Sequence, residues 1–153
     1  QQAARIQFRS TGQRVGQGLL RGVVDIYMPD VKFADEDVGL RLTGAKGYFA
    51  TVKEALWEMH DQVGDLQVDQ DGLAWRGLLV HHLVLPGGLG GTEKVVRFLA
   101  KEISPDTYIN VMAQYHPAYR AADYPPLDRA ATSAEHRKAV EMARRAGLWR
   151  FAT

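Results

Sequence analysis

The sequence predicts an α/β fold with parallel strands, and two features of the apolar pattern indicate it. Three short and almost continuously apolar segments, 22–28, 78–85 and 107–115, are typical of strands that are buried on both faces. Segments with the apolar spacing of helices lie between and after them. Strands that alternate with helices in this way form βαβ units, and right-handed crossovers then bring all carboxyl ends to one edge of the sheet.

Helices are predicted where apolar residues recur at helical spacing and end signals flank them. They cover 35–42, 52–63, 93–102 and the segment between Thr132 and Gly147. Thr92 is the predicted N-cap of the third helix, and Thr132 with Glu135 forms a predicted capping box for the last.

The remaining segments are predicted to be a hairpin and a lead-in. Residues 65–77 are predicted to form a small hairpin that turns at Asp71-Gly72. Residues 1–18 show no clean period and are predicted to be an irregular lead-in, which leaves 19–153 as the folded part.

Composition limits the classes of function. The 153 residues suffice for one domain or for part of a larger one. Nineteen basic and eighteen acidic residues give a net charge of +1, so a nucleic-acid partner is not expected. No apolar run approaches the roughly 20 residues that span a bilayer, and the polar amino terminus lacks a signal peptide's apolar core, so we expect a cytoplasmic protein. The absence of cysteine excludes disulfides, thiolate metal sites and a cysteine nucleophile.

Polar side chains follow each of the three predicted strands. Asp30 and Lys32, two residues apart, would point the same way after the first strand. An acid beside an ammonium group can bind a zwitterion, although a surface ion pair is the alternative. His81 and His82 come near the end of the second strand and His116 follows the third. Because these ends share one edge, they predict a pocket for a small, polar, charged ligand.

Other interpretations of these residues stay open. Consecutive histidines in a strand face opposite sides, so only His81 or His82 can line the pocket, and a hydrogen-bonded core position is the alternative for each. For His116 the alternative is a loop histidine stacked on Tyr119. The glycine-rich loop 86–94 is either a phosphate-binding turn or a tight strand-to-helix connection. The histidine spacings predict no zinc site, and no metal ligands are predicted in this chain.

Three segments together resemble the radical S-adenosylmethionine proteins related to the pyruvate formate-lyase activating enzyme. They are DIYMPDVKFAD, RGLLVHHLVLPGGLGGTEKVVRFLAKEISPDTYINVMAQYHPAY and EHRKAVEMARRAGLWRF. The resemblance covers about residues 19–151. It implies a partial (β/α)6 TIM-like barrel, of which this chain would be the carboxyl-terminal half. Members of the family bind a [4Fe–4S] cluster through C-x3-C-x2-C and cleave S-adenosylmethionine to a 5′-deoxyadenosyl radical.

The resemblance also implies roles for individual residues. Asp30 and Lys32 match the D-x-K pair that binds the methionine end of S-adenosylmethionine, and His116 matches a histidine near the same cofactor. His81 stands where activating enzymes usually carry an arginine. The cluster ligands are expected upstream of this chain, which has no cysteine and is therefore expected to be inactive alone.

Three hypotheses about function follow. In the first, the complete protein is an activase-like oxidoreductase whose partner is a glycyl-radical protein. In the second, the chain is a cofactor-free half-barrel that binds a phosphate or nucleotide at 86–94 or associates with itself through open barrel edges. In the third, it is an inactive truncated product.

Overall fold

The computed structural model describes residues 5–6 and 19–152. The strands are β1 (Arg5–Ile6), β2 (Ile26–Tyr27), β3 (Asp30–Val31), β4 (Gln67–Val68), β5 (Ala74–Leu83) and β6 (Tyr108–Met112). The α-helices are α1 (Glu36–Thr43), α2 (Tyr48–Val63), α3 (Thr92–Phe98) and α4 (Ser133–Ala146). Short 3-10 turns cover Pro86–Gly88 and Ala121–Asp123, and a π-helical turn at Leu99–Ile103 extends α3.

Strand β5 is the centre of a parallel sheet. Strands β2 and β3 keep the same register along one side of β5, so they form one line interrupted before Asp30. Strand β6 pairs with the other side of β5, and β1 pairs with β2. All these pairs are parallel, whereas β4 pairs antiparallel with the start of β5. The fold is therefore mixed α/β with a parallel sheet, and within the described residues this sheet does not close into a barrel.

The helices form where the sequence predicts them because their local signals agree with their packing. Helix α2 buries Val52, Leu56 and Met59 along one face of the core. In α4 the hydroxyl of Thr132 accepts a hydrogen bond from the Glu135 N–H while the Glu135 carboxylate accepts one from the Thr132 N–H, which is the predicted capping box. Within the described ranges, no helix combines the length and apolarity that crossing a membrane requires.

Opposite faces of the sheet have different surroundings. Tyr27 donates a hydrogen bond to Gln62 of α2, and His82 is hydrogen-bonded to Thr92 of α3, so these side chains face the helices. Because side chains alternate along a strand, Asp30 and His81 point to the opposite side. We call this side the far face of the sheet; its central row is Asp30, His81 and Asn110, which the register aligns.

The first predicted strand was wrong in its amino-terminal half. Residues 19–23 form a turn in which the Val23 N–H donates to the Leu20 carbonyl and Gly22 adopts a φ of 78°. The strand itself starts only at Ile26. Apolar character alone cannot distinguish the two, because the Val23 side chain is exposed despite its type.

The ends of two other elements also differ from the prediction. Strand β6 ends at Met112 rather than at 115. Gly91 takes the N-cap position of α3, and Thr92 is the first helical residue, so the predicted cap at Thr92 was wrong. In the predicted irregular lead-in, Arg5–Ile6 form a strand that pairs with β2, and the rest of 1–18 lies outside the described residues.

Candidate functional site

Asp30 and Lys32 form an ion pair at the carboxyl end of the first strand line. The Lys32 Nζ lies 2.5 Å from the Asp30 Oδ2. The Asp30 side chain remains 34% exposed and the Lys32 side chain 45%, so the ion pair can be reached from solvent. The prediction that the two side chains point the same way is confirmed. An acid and an ammonium group thus stand together at the edge of a parallel sheet where ligands commonly bind.

The second oxygen of the Asp30 carboxylate has different surroundings from the oxygen that contacts Lys32. Asp30 Oδ1 is buried and has no hydrogen-bond partner among the described residues. A carboxylate oxygen withdrawn from water without a donor costs free energy, typically about 1–3 kcal/mol for a neutral group and more for a charged one. Within the described residues, this carboxylate therefore has a hydrogen-bond partner for only one of its two oxygens.

Three backbone contacts hold the strand end that carries this pair. The Lys32 N–H donates to the Tyr48 hydroxyl at 3.1 Å. The Val31 carbonyl lies 2.8 Å from His82 Nδ1, and the Ala34 N–H donates to the Gly90 carbonyl at 3.2 Å. These bonds tie the segment to α2, β5 and the glycine loop. The acid and the ammonium group are therefore presented on a fixed backbone.

Of the two adjacent histidines, His82 is a core residue. It is fully buried, and its ring nitrogens lie 2.8 Å from the Val31 carbonyl and 2.8 Å from the Thr92 hydroxyl. Burial lowers the pKa of His82 below its ordinary value of 6.5, so the ring is neutral at pH 7. Of the two interpretations that the sequence left open for His82, a pocket-lining residue or a hydrogen-bonded core residue, the structure therefore supports the second.

His81 lies on the far face and is half-buried. It is the register partner of Asp30 on one side and of Asn110 on the other. Three polar side chains thus form one row across three neighbouring strands. Sequence analysis did not find Asn110, because the row depends on the register between β5 and β6. The available signal in the sequence was the residue type, because asparagine is depleted in strands and stands here among Tyr, Ile, Val and Met.

His116 is not joined to the other predicted site residues by a hydrogen bond or ion pair within the part of the chain that the structure describes. It is exposed and lies beyond the end of β6, in a segment anchored by the bond from the Tyr115 hydroxyl to the Leu127 carbonyl at 2.8 Å. The predicted alternative, stacking on Tyr119, is not found either, because Tyr119 is 99% exposed. The place of His116 in the site remains a prediction.

The glycine loop has fewer donors for a phosphate than its sequence indicates. The Gly87 N–H donates to the Glu135 carboxylate at 2.8 Å, and the Gly91 N–H donates to the Gly88 carbonyl at 3.0 Å. Arg129, the Thr132 N–H and the Gly87 N–H together hold the pKa of Glu135 well below its ordinary value. A phosphate approaching Gly87 would meet this anionic carboxylate. A cleft of about 510 Å³ beside the loop is lined by residues of α1, α3, α4 and the loop itself.

Metal ligands are scarce. Within residues 5–6 and 19–152 no group of three or more His, Cys, Asp or Glu side chains is arranged to hold a metal ion. The sequence contains no cysteine at all. A [4Fe–4S] cluster bound by thiolates does not fit the residues of this chain.

Comparison with known proteins finds a relative that has no assigned activity. The uncharacterized protein MJ0674 of Methanocaldococcus jannaschii is 37% identical over 134 residues, which are 87% of this chain and 35% of the relative. The chain thus spans about a third of the length of this relative. No family model matches the sequence, and no solved structure matches it significantly.

Proposed function

We propose that this chain binds S-adenosylmethionine through Asp30 and Lys32, as the carboxyl-terminal part of a radical S-adenosylmethionine protein similar to the pyruvate formate-lyase activating enzyme. The observation that carries the proposal is the Asp30–Lys32 ion pair, half-exposed at the carboxyl edge of a parallel sheet. In this arrangement the carboxylate accepts the ligand's ammonium group and Lys32 binds the ligand's carboxylate.

Replacing the contact between Asp30 and Lys32 by contacts to the ligand is energetically favourable. A solvent-exposed ion pair contributes about 0–1 kcal/mol, so separating Lys32 from Asp30 costs little. A zwitterion inserted between them forms two charge-assisted contacts in place of one. Rotation of the Asp30 side chain would also offer its unpaired oxygen to the ligand's ammonium hydrogens. The ligand therefore supplies the donors that the carboxylate lacks in the free protein.

The fold supports the barrel part of the proposal. The parallel strands follow one another across the sheet in chain order: β1, then β2 with β3 at one position, then β5 and then β6. Phe151 adds a parallel bridge to Ile109 at the edge of β6. This sequential order is expected for part of a (β/α)6 barrel. The finer assignment as a partial TIM-like barrel belongs to the proposal.

The cluster does not fit the chain, and no step of radical chemistry is assigned to it. Thiolate ligands would have to come from polypeptide outside this sequence, which has no cysteine. The proposed contribution of this chain is to bind and orient the amino-acid end of the ligand. A glycyl-radical partner and a cytoplasmic location are further parts of the proposal, and the partner rests on the family resemblance alone.

Isothermal titration calorimetry of the chain with S-adenosylmethionine tests the proposal. We expect saturable binding that Asp30→Asn and Lys32→Met each weaken by about 10-fold or more, the effect of losing a hydrogen bond to a charged group. The matched controls are Asp123→Asn and Arg120→Met, which remove an exposed ion pair of 2.8 Å elsewhere on the surface. They should leave the affinity unchanged.

Two results would overturn the proposal. One is the absence of saturable binding by a chain that shows a cooperative thermal melt. The other is binding of equal affinity in the wild type, Asp30→Asn and Lys32→Met. Because the pair is exposed, we expect the melting temperatures of these variants to stay close to that of the wild type, so a loss of affinity will not reflect unfolding.

A further inference from the structure

The far face of the sheet carries a polar row that extends beyond the ion pair. Asp30 is the register partner of His81, and His81 is the register partner of Asn110. Side chains of register partners in parallel strands point to the same face. All three residues are half-buried, so the row lies at a surface that a ligand can reach.

Asn110 is an unusual residue for the centre of a strand. Asparagine is depleted in strands, and the other residues of β6 are Tyr, Ile, Val and Met, which pack well on a pleated surface. The Asn110 amide forms no hydrogen bond with any residue in the described part of the chain. It is also the only asparagine in the sequence. Packing and strand formation thus do not account for an amide at this position.

The rows on either side of the polar row are apolar in β5 and β6. Leu79 pairs with Tyr108 on one side, and Leu83 pairs with Met112 on the other. A narrow polar strip between two apolar rows suits a long ligand that has a charged end and a polar, flat far end. It suits a small inorganic anion poorly, because an anion would use only the Lys32 end of the strip.

We propose that Asn110 is a specificity-determining residue that binds the nucleoside end of the ligand whose amino-acid end is held by Asp30 and Lys32. This inference rests on the proposed function. Neighbouring strands lie about 4.8 Å apart, so β6 runs about 10 Å from the strand of Asp30. The methionine portion spans the first interval, beside His81, and the ribose and adenine reach the second. An amide both donates and accepts hydrogen bonds, as recognition of ribose hydroxyls or an adenine edge requires.

The single asparagine allows a direct observation. Selective labelling with [15N]asparagine gives one backbone and one side-chain amide signal, both from Asn110. Two probes are titrated into the labelled chain: S-adenosylmethionine, and S-methylmethionine, which keeps the zwitterion and the sulfonium but lacks the nucleoside. We expect S-adenosylmethionine to shift the side-chain NH2 signals and S-methylmethionine to leave them in place.

Affinity measurements on variants complete the test. Asn110→Leu keeps the size of the side chain and removes its hydrogen bonds, so we expect about a 3- to 10-fold loss of affinity for S-adenosylmethionine and none for S-methylmethionine. The melting temperature of this variant should not fall, because leucine is accepted in strands at least as well as asparagine. Equal losses for both probes would show a general effect on the site and overturn the inference.

The outcomes separate this inference from the proposed function. Suppose that Asp30→Asn weakens S-adenosylmethionine binding, but the NMR signals of Asn110 do not shift and Asn110→Leu binds the ligand as tightly as the wild type. The inference about Asn110 then fails and the proposed function stands. If S-adenosylmethionine does not bind, or if Asp30→Asn binds it as tightly as the wild type, both the inference and the proposed function fail.

Discussion

The imidazole of His82 and the hydroxyl of Thr92 are hydrogen-bonded at 2.8 Å inside the core, where β5 passes the start of α3. The other ring nitrogen, Nδ1, lies 2.8 Å from the Val31 carbonyl, which can only accept a hydrogen bond. Nδ1 therefore carries the proton, and the neutral Nε2 accepts from the Thr92 hydroxyl. This pair connects the backbone beside Lys32 to the start of α3.

Removing the Thr92 hydroxyl should destabilise the fold. Thr92→Val leaves His82 Nε2 as a buried acceptor without a donor, and we expect the free energy of unfolding to fall by about 1–3 kcal/mol. Thr92→Ser is the matched control, because it keeps the hydroxyl and should stay much closer to the wild type. Urea denaturation at pH 8 measures both variants. Equal stabilities of the two variants would contradict the assigned bond.

Protonation of His82 should weaken the fold in acid. Its folded pKa is lowered by burial below the ordinary value of 6.5, so the unfolded chain binds the proton more readily. The stabilisation is therefore fully present above pH 6.5 and declines as the pH falls towards the folded pKa. Two groups contact the ring, the Val31 carbonyl and the Thr92 hydroxyl. The hydrogen bond to Val31 and the negative charge of Asp30, on the other face of the sheet, both oppose the shift.

The difference in unfolding free energy between the wild type and His82→Asn isolates this titration. Other histidines contribute equally to both proteins and cancel. We expect the advantage of the wild type to be largest at pH 8 and to shrink between pH 6.5 and pH 5, as measured by urea denaturation. A constant difference across this range would mean that His82 does not titrate with a lowered pKa.

Local signals were sufficient for the helices and for the ion pair. The stripe on α2 and the capping box at Thr132 depend on residues three or four positions apart, and these interactions form in any fold that contains the helix. Asp30 and Lys32 are two apart on an extended backbone, so their shared direction follows from strand geometry alone. Each of these features could be predicted because it is nearly independent of tertiary contacts.

The polar row of the far face could not be predicted in the same way. It needs the register that aligns Asp30 with His81 and His81 with Asn110, and connections as long as those between these strands do not determine register. The role of Thr92 was missed for a similar reason. As an N-cap, its hydroxyl oxygen would accept a hydrogen bond from a backbone N–H of the helix. In the structure Gly91 holds the cap position, and the Thr92 hydroxyl donates to the distant His82 ring instead.

Gly77 should tolerate no side chain. It has a φ of 120°, and an added Cβ would lie 2.5 Å from both the Asp65 carbonyl oxygen and the Leu66 Cα. We expect Gly77→Ala to lower the free energy of unfolding by at least about 2 kcal/mol, because backbone atoms would have to move. Gly72→Ala is the control, since its φ of 79° carries conformational strain but no atom lies within 4 Å of the added Cβ.

Urea denaturation separates the steric clash at Gly77 from the conformational strain that a side chain at a positive φ causes at both glycines. Gly72→Ala should cost about 1–2 kcal/mol, the usual penalty for a left-handed residue with a side chain. A Gly77→Ala variant no less stable than Gly72→Ala would show that the hairpin of β4 and β5 can shift away from the added methyl group, and that the close approach of Asp65 to Gly77 is not essential.

Glu135 should stabilise the glycine loop in a pH-dependent way. Its carboxylate accepts from Arg129 at 2.9 Å, from the Thr132 N–H at 2.7 Å and from the Gly87 N–H at 2.8 Å, and these contacts hold its pKa below the ordinary value of 4.5. Because the folded pKa is lowered, the stabilisation is fully present above about pH 4.5 and declines as the pH falls through the folded pKa.

The comparison of Glu135→Gln with Glu141→Gln measures this contribution. Glu141 is a suitable control because its carboxylate is exposed and lies 3.8 Å from Arg145 of the same helix. We expect Glu135→Gln to be less stable than Glu141→Gln at pH 7 and the gap to narrow between pH 4.5 and pH 3, as followed by thermal unfolding. A gap that does not change with pH would assign the effect to side-chain shape. A narrowing gap would show that the charge of Glu135 organises the loop, and that the position a phosphate would need beside Gly87 is held by the protein's own anion.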